Sequence, residues 1–229
     1  MAKILFEHKP TLVPVADSDE QFAVRRIYCV GQNYAAHARE MGGDPDRTPP
    51  FYFGKPADAI VQSGATVPFP SRCEDLHHEI ELVVAIGKAG TAIPAKTALG
   101  HVFGYAAGID LTRRDLQAQA KKNGKPWDIG KGFDHSAPIS PIHRVAKTGH
   151  PDSGRIWLAV NGEVRQDGDL RELIWNVPEA IAELSTYFEL RPGDLLFTGT
   201  PSGVGPLKRG DKVTGGVAGV SEISISIGK

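Results

Sequence analysis

Apolar and polar positions along this chain fall into short runs whose lengths suit strands more often than helices. The stretch Glu222-Ile223-Ser224-Ile225-Ser226-Ile227 alternates strictly, which predicts a half-buried strand. Ile80 to Ile86 and Val102 to Ile109 are denser apolar runs and predict two more. Ile156 to Val160, then Asn161-Gly162, then Glu163-Val164-Arg165 reads as a hairpin, because Asn-Gly accepts the positive φ that a tight turn requires. Shorter strands are expected at Arg25 to Gly31, at Phe51-Tyr52-Phe53, and at Leu195-Leu196-Phe197 after the turn Arg191-Pro192-Gly193-Asp194.

Helices are fewer. One is expected to start near Asn33, a good N-cap, to run through Glu40, and to stop at Gly42-Gly43-Asp44-Pro45. A second covers Arg113 to Lys122, with Thr112 as cap and Gly124-Lys125-Pro126 as stop. A third opens at Val177-Pro178 and places Val177, Ile181, Leu184 and Phe188 on one face. Pro94 to Leu99 allows one or two helical turns, and Pro68 to His78 reads as a loop. Strands outnumber helices without a regular βαβ alternation, so the class is α+β, strand-rich and mixed. Residues 1–24 read as an N-terminal leader lying across a single catalytic domain of residues 25–229.

Composition sharpens this picture. Glycine (26) and proline (17) make up about one residue in five of the 229, above the usual ~12%, in keeping with many turns. Lys and Arg (26) nearly balance Asp and Glu (27), so no overall basic excess attracts a nucleic acid or an anionic membrane. Cys29 and Cys73 cannot build a disulfide framework. With no apolar run near the ~18 residues of a membrane helix, and none suited to a secretion signal, a cytoplasmic protein is expected.

The first chemical feature lies where an apolar strand begins. Glu79 and Glu81 are two residues apart and point to the same side. They could be the strand's solvent face, or a cation could hold them together, since two adjacent buried carboxylates repel. Asp110, at the end of the apolar run Gly104 to Ile109, adds a third oxygen donor and favours the cation. Carboxylates without thiolates suit Mg²⁺ or Mn²⁺. His77 and His78 precede Glu79, but their spacing matches no helical zinc motif.

His37 and Glu40 stand at i and i+3 on the first expected helix. A carboxylate accepting one imidazole N–H makes the other nitrogen a better base toward water, although such pairs also occur as idle surface neighbours. Thr198-Gly199-Thr200-Pro201-Ser202-Gly203-Val204-Gly205 is neither a phosphate loop nor a dinucleotide fingerprint. It could cradle a carboxylate or be an ordinary turn. Lys131 sits in the apolar segment Ile129 to Phe133 and needs an anionic partner. No Gly-x-Ser-x-Gly elbow marks a nucleophile.

Taken in order, Val30-Gly31-Gln32-Asn33-Tyr34-Ala35-Ala36-His37, Phe53-Gly54-Lys55-Pro56, His78-Glu79-Ile80-Glu81-Leu82, Asp110-Leu111-Thr112-Arg113-Arg114-Asp115, Lys131-Gly132-Phe133-Asp134 and the Thr198–Gly205 loop resemble the fumarylacetoacetate hydrolase family. Arg39-Glu40-Met41-Gly42 and Trp127 to Lys131 look most like its bacterial fumarylpyruvate hydrolases. The resemblance implies a mixed β-roll of the family's C-terminal-domain type, a homodimer, and one Mg²⁺ or Mn²⁺ per site. It gives Glu79, Glu81 and Asp110 the metal-ligand roles, and makes His37 with Glu40 the water-activating dyad. Lys131 becomes the third catalytic residue, while Arg114, Gln117, Thr200 and Lys55 hold the substrate. Gln32 stands where relatives commonly carry a basic residue.

The implied reaction is metal-dependent cleavage of a C–C bond in a 2,4-diketo acid, with fumarylpyruvate of a gentisate-type pathway as the leading substrate. Oxaloacetate decarboxylation or tautomerisation, general acylpyruvase activity, and a non-catalytic metal-stabilised module are the alternatives. Arg39, Arg113, Lys55 and the Arg47 region are the candidates to meet a remote substrate carboxylate.

Overall fold

In this computed structural model, residues 5–41 and 48–229 are described; the expected helix stop at Gly42 to Pro45 and Arg47 lie outside them. The central sheet orders its strands Phe51–Lys55, Arg26–Gly31, Asp194–Phe197, Ile80–Ile86, Val102–Ile109, Ala137–Ile139 and Ile60–Gln62, with His143–Arg144 also paired to Val102–Ile109. A second sheet runs Glu163–Asp169, Arg155–Val160, Lys212–Val217, Ser221–Ile227 and Thr66–Val67. Most pairings are antiparallel, but Arg26–Gly31 runs parallel to Asp194–Phe197. The fold is the expected strand-rich α+β roll.

The site's position follows from how one strand divides its side chains. Ile80, Leu82, Val84 and Ile86 enter a core shared with Ile156, Leu158, Ile223 and Ile225 of the second sheet. Val83 and Ala85 point the other way, into a core with Phe197 and with Val13, Val15, Phe22 and Val24. Val13, Phe22 and Val24 come from a hairpin of Thr11–Pro14 and Gln21–Val24, and Val15 follows its first strand, so the segment before Arg25 contributes core. Burying both faces, at about 1.5–3 kcal/mol per large aliphatic side chain, pins the register. Glu79 and Glu81 continue the Val83 row at the strand's beginning and inherit its fixed direction.

Several local expectations are corrected. The helix Ala35–Glu40 has Tyr34 at its N-cap without a side-chain cap, because Asn33 is used elsewhere, as described below. The helix Arg114–Lys122 begins from Arg113; Thr112 instead turns its hydroxyl to Glu79 and to the Asp110 carbonyl. Leu76–His78 is a short strand, not loop, between Thr112–Arg113 and Gly205–Leu207. The Phe51 strand continues to Lys55, carried by its pairing with Arg26–Gly31. The helix Val177–Tyr187 is closed at its start by a reciprocal Asn176–Glu179 box. Phe188 lies just beyond its end in extended backbone, exposed and packed on Tyr28.

The hairpin turns at Asn161 and Gly162, both at positive φ. Its register shifts by one, pairing Leu158 with Gln166 but Ala159 with Val164. Arg165 is therefore the extra residue of a β-bulge. Among the described residues no helix is long and apolar enough to cross a membrane.

Candidate active site

Antiparallel register brings the three acids together. Ile80 pairs with Ile109 and Glu81 with Gly108, so Asp110 falls opposite Glu79, and its N–H donates to the Glu79 carbonyl at 2.8 Å. Gly108 presents no side chain toward Glu81. One carboxylate oxygen from each of Glu79, Glu81 and Asp110 lies within 4.8 Å of the others, all three buried.

Three cations surround them. Lys131, at the end of the one-turn helix Asp128–Lys131, reaches Glu79 at 2.8 Å and Asp110 at 2.6 Å. Lys55 reaches the other Asp110 oxygen at 2.8 Å and donates to the Lys131 carbonyl. Arg114 donates to Glu79 and to Gln117 one turn along its helix. Burial pushes the Glu79 carboxyl upward, but Lys131 and Arg114 more than reverse this, leaving it well below the usual carboxylate range.

Glu81 differs. Burial, Asp110 and Glu79 all push its carboxyl well above the ordinary value, and the Gly199 N–H only partly opposes them. In the cation-free protein these influences hold Glu81 toward its protonated form. These three carboxylates could hold a divalent ion, whose charge would offset their repulsion, and they meet the hard-oxygen preference of Mg²⁺ or Mn²⁺. The donor set fits such an ion.

Across the cleft, His37 Nδ1 lies 3.2 Å from Glu40 Oε2 on the helix Ala35–Glu40. Glu40 also accepts the Gly203 N–H at 3.3 Å, so its carboxylate is fixed from two sides. The Thr198–Gly205 loop cradles carboxylates after all, and they are the protein's own. Gly199 gives its N–H to Glu81 at 2.7 Å, and Gly203 gives its own to Glu40. Both residues have φ near +100°, and both lie hard against neighbours. A Cβ on Gly199 would come 2.7 Å from Asn33, and one on Gly203 would come 2.1 Å from the Arg165 carbonyl oxygen.

Asn33 ties the loop down. Its amide donates to the Thr198 and Trp175 carbonyls and accepts from the Trp175 N–H, which is why it does not cap its helix.

Several of these groups line one cleft, whose wall includes His37, Glu79, Glu81, Asp110, Arg114, Gln117, Lys131 and Thr200. Glu40 supports His37 from beside the cleft. Lys55 lies behind Asp110 with a fully buried side chain, not on the cleft wall. There it is held by Asp110 and by the Leu111 and Lys131 carbonyls. Arg39 is exposed away from the cleft, and Arg113 stacks on Phe133.

Sequence reasoning missed Lys121, Met41, Phe53 and Trp127 as lining residues. Lys121 was findable, because it lies seven residues after Arg114 and so on the same helix face. Phe53 and Trp127 meet through ring contact only in the folded chain.

The family model described as Fumarylacetoacetate (FAA) hydrolase C-terminal matches residues 26–227. The chain belongs to this family and is a hydrolase of carbon–carbon bonds. A fumarylpyruvate hydrolase from Ralstonia sp is 49% identical over 181 residues, 78% of this chain and 92% of the relative. The mitochondrial oxaloacetate tautomerase of Arabidopsis thaliana is 41% identical over 202 residues, 88% of this chain and 90% of the relative. Among solved structures, the fumarylpyruvate hydrolase from Pseudomonas aeruginosa in complex with Mn²⁺ and pyruvate superimposes with a TM-score of 0.96 at 52% identity, covering 99% of each chain.

Proposed function

We propose that this enzyme hydrolyses an acylpyruvate, with fumarylpyruvate as substrate and fumarate and pyruvate as products, as in gentisate-type aromatic breakdown. The observation that carries the reading is a carboxylate-anchored imidazole, His37, facing three clustered acids across one cleft. The Ralstonia and Pseudomonas aeruginosa relatives support the substrate. Glu79, Glu81 and Asp110 hold one Mn²⁺ or Mg²⁺, which when bound supplies Lewis acidity and positive charge to the keto-acid end of the substrate.

His37, oriented by Glu40, takes a proton from water, and the hydroxide oxygen bonds to the C4 carbonyl carbon. The C3–C4 bond then breaks, and its electron pair becomes the enolate of pyruvate. Lys131, Arg114 and Thr200 stabilise the negative oxygens; this electrostatic contribution is the largest, at several kcal/mol. The proton held on His37 returns to C3. Gln117, held by Arg114, orients the carboxylate. The working form is a cytoplasmic homodimer.

Charge balance supports a dianionic substrate. The three carboxylates are matched by Lys55, Lys131 and Arg114, so a bound divalent ion and Lys121 leave the cleft an excess of positive charge that favours fumarylpyruvate's two carboxylates. Its remote carboxylate meets Lys121, a cleft-lining cation at the mouth that donates to the Met41 carbonyl at 3.1 Å. Fumarylpyruvate is then cleaved at least ~10-fold better than acetylpyruvate in kcat/KM, about 1.4 kcal/mol of transition-state preference, and Lys121→Glu abolishes that preference. Equal rates for the two diketo acids would leave a general acylpyruvase. The tautomerase relative supports a second reading, in which the same acids hold an enolate of oxaloacetate; faster turnover of oxaloacetate in the same assay would favour it.

A further inference from the structure

The strand Glu163–Asp169 is mostly exposed, yet Gln166 within it has no solvent exposure at all. The bulge at Arg165 explains its direction, since an extra residue re-aims the next side chain. Gln166 turns inward beneath the Thr198–Gly205 loop and uses both ends of its amide. Its Oε1 accepts the Ile80 N–H at 3.1 Å and lies 3.0 Å from His78 Nδ1. Its Nε2 donates at 2.8 Å to Thr200 Oγ1 and at 2.8 Å to the Pro201 carbonyl.

These partners leave the amide one orientation. Ile80 N–H can only donate and the Pro201 carbonyl can only accept, so Oε1 faces the first and Nε2 the second. Thr200 Oγ1 therefore receives a hydrogen bond from behind. A hydroxyl that accepts on one side retains its own proton to give on the other, and Thr200 lines the cleft. The same bulge seats Gly203 against the Arg165 carbonyl, and Gly203 holds Glu40. One irregularity in a remote hairpin thus bears on both walls of the site.

We infer that Gln166 is a positioning residue that fixes the Thr200 hydroxyl as a hydrogen-bond donor toward an anionic oxygen in the cleft. The inference rests on the proposed reading only in taking that oxygen to belong to a pyruvate-like ligand. Gln166→Glu keeps an acceptor for Ile80 and His78 but replaces the donor facing Thr200 with an oxygen. The hydroxyl must then turn away from the cleft to donate backwards.

The test uses the Mn²⁺-loaded enzyme and calorimetric titration with oxalate, a small dianion shaped like the pyruvate enolate. Gln166→Glu and Thr200→Val are each expected to weaken oxalate about tenfold or more, the loss of one hydrogen bond to a charged acceptor. The double variant is expected to bind no worse than the weaker single one, and Thr200→Ser to bind like the wild type. Multiplying losses in the double variant, or wild-type oxalate binding by Gln166→Glu, would overturn the inference.

If Gln166→Glu does not fold, the structure of the wild-type oxalate complex decides. Thr200 Oγ1 must sit within hydrogen-bond distance of an oxalate oxygen while Gln166 Nε2 remains on it, and a hydroxyl turned from oxalate overturns the proposal. Failure of the hydrolase reading looks different: oxalate binds as expected while no acylpyruvate turns over.

Discussion

Glu40 and Gly203 are 163 residues apart in sequence, and the carboxylate of one accepts the backbone N–H of the other. The distance between these two residues decides where the imidazole of His37 points, because Glu40 is also the partner of His37 Nδ1.

Gly203→Ala should therefore impair catalysis without touching a reacting group. Its Cβ would collide with the Arg165 carbonyl at a positive φ, shifting the loop away from Glu40. The expected result is a fall in kcat of ~10-fold or more at nearly unchanged Mn²⁺ affinity, about 1.4 kcal/mol or more of barrier. Mn²⁺ titration and steady-state kinetics on the same preparation check this, and unchanged kcat would show that the contact is idle.

His37→Ala separates the two chemistries that share the carboxylate cluster. Hydrolysis needs a base for water and is expected to fall by about 10²–10⁴. Decarboxylation of oxaloacetate should survive, because it needs no attacking water. Parallel loss of both activities would contradict the assigned role.

Glu81→Gln removes one oxygen donor's charge and the acid held toward its protonated form. Mn²⁺ binding is expected to weaken at least ~10-fold, with little activity left. Calorimetry in two buffers of different ionisation enthalpy should also show fewer protons released per ion bound than in the wild type. Unchanged affinity would mean that the acid cluster does not bind the ion.

The raised Glu81 carboxyl also sets a pH dependence of stability. Between the ordinary value of 4.5 and its raised folded value, the folded protein keeps a proton that the unfolded chain has lost. Stability of the chelated enzyme thus falls as pH rises through this window, by up to about 1.4 kcal/mol per unit. Glu79 is lowered, so its contribution is already complete above 4.5 and is lost only in acid. Thermal unfolding in EDTA from pH 5 to 8 should show the decline, and Mn²⁺ should reverse it.

Much of the site was legible because it lies in local patterns. Glu79 and Glu81 share a strand face by the two-residue period, and His37 and Glu40 share a helix turn. The family motifs then placed Asp110, Lys131 and Thr200 beside them. What was not legible depends on register and on long-range contact. Asn33 looks like a cap from its neighbours, yet the loop at Thr198 claims its amide. Lys55 lies within the family motif Phe53-Gly54-Lys55-Pro56, but strand pairing turns it behind Asp110. Gln166 carried no signal, since a bulge at Arg165 cannot be seen in a strand that otherwise reads as exposed.

The order of strands in the central sheet has a consequence for synthesis. Arg26–Gly31 and Phe51–Lys55 join the rest of the sheet through Asp194–Phe197. Until the ribosome has released that late strand, the early pair and the Ile80–Ile86 strand each present an open hydrogen-bonding edge. Closing the gap requires contacts across more than two-thirds of the chain, a slow step for topologies rich in distant pairings. Nascent chains halted before Asp194 are accordingly the aggregation-prone species. Because the Thr198–Gly205 loop follows that strand directly, catalytic activity should appear only once the sheet has been sealed.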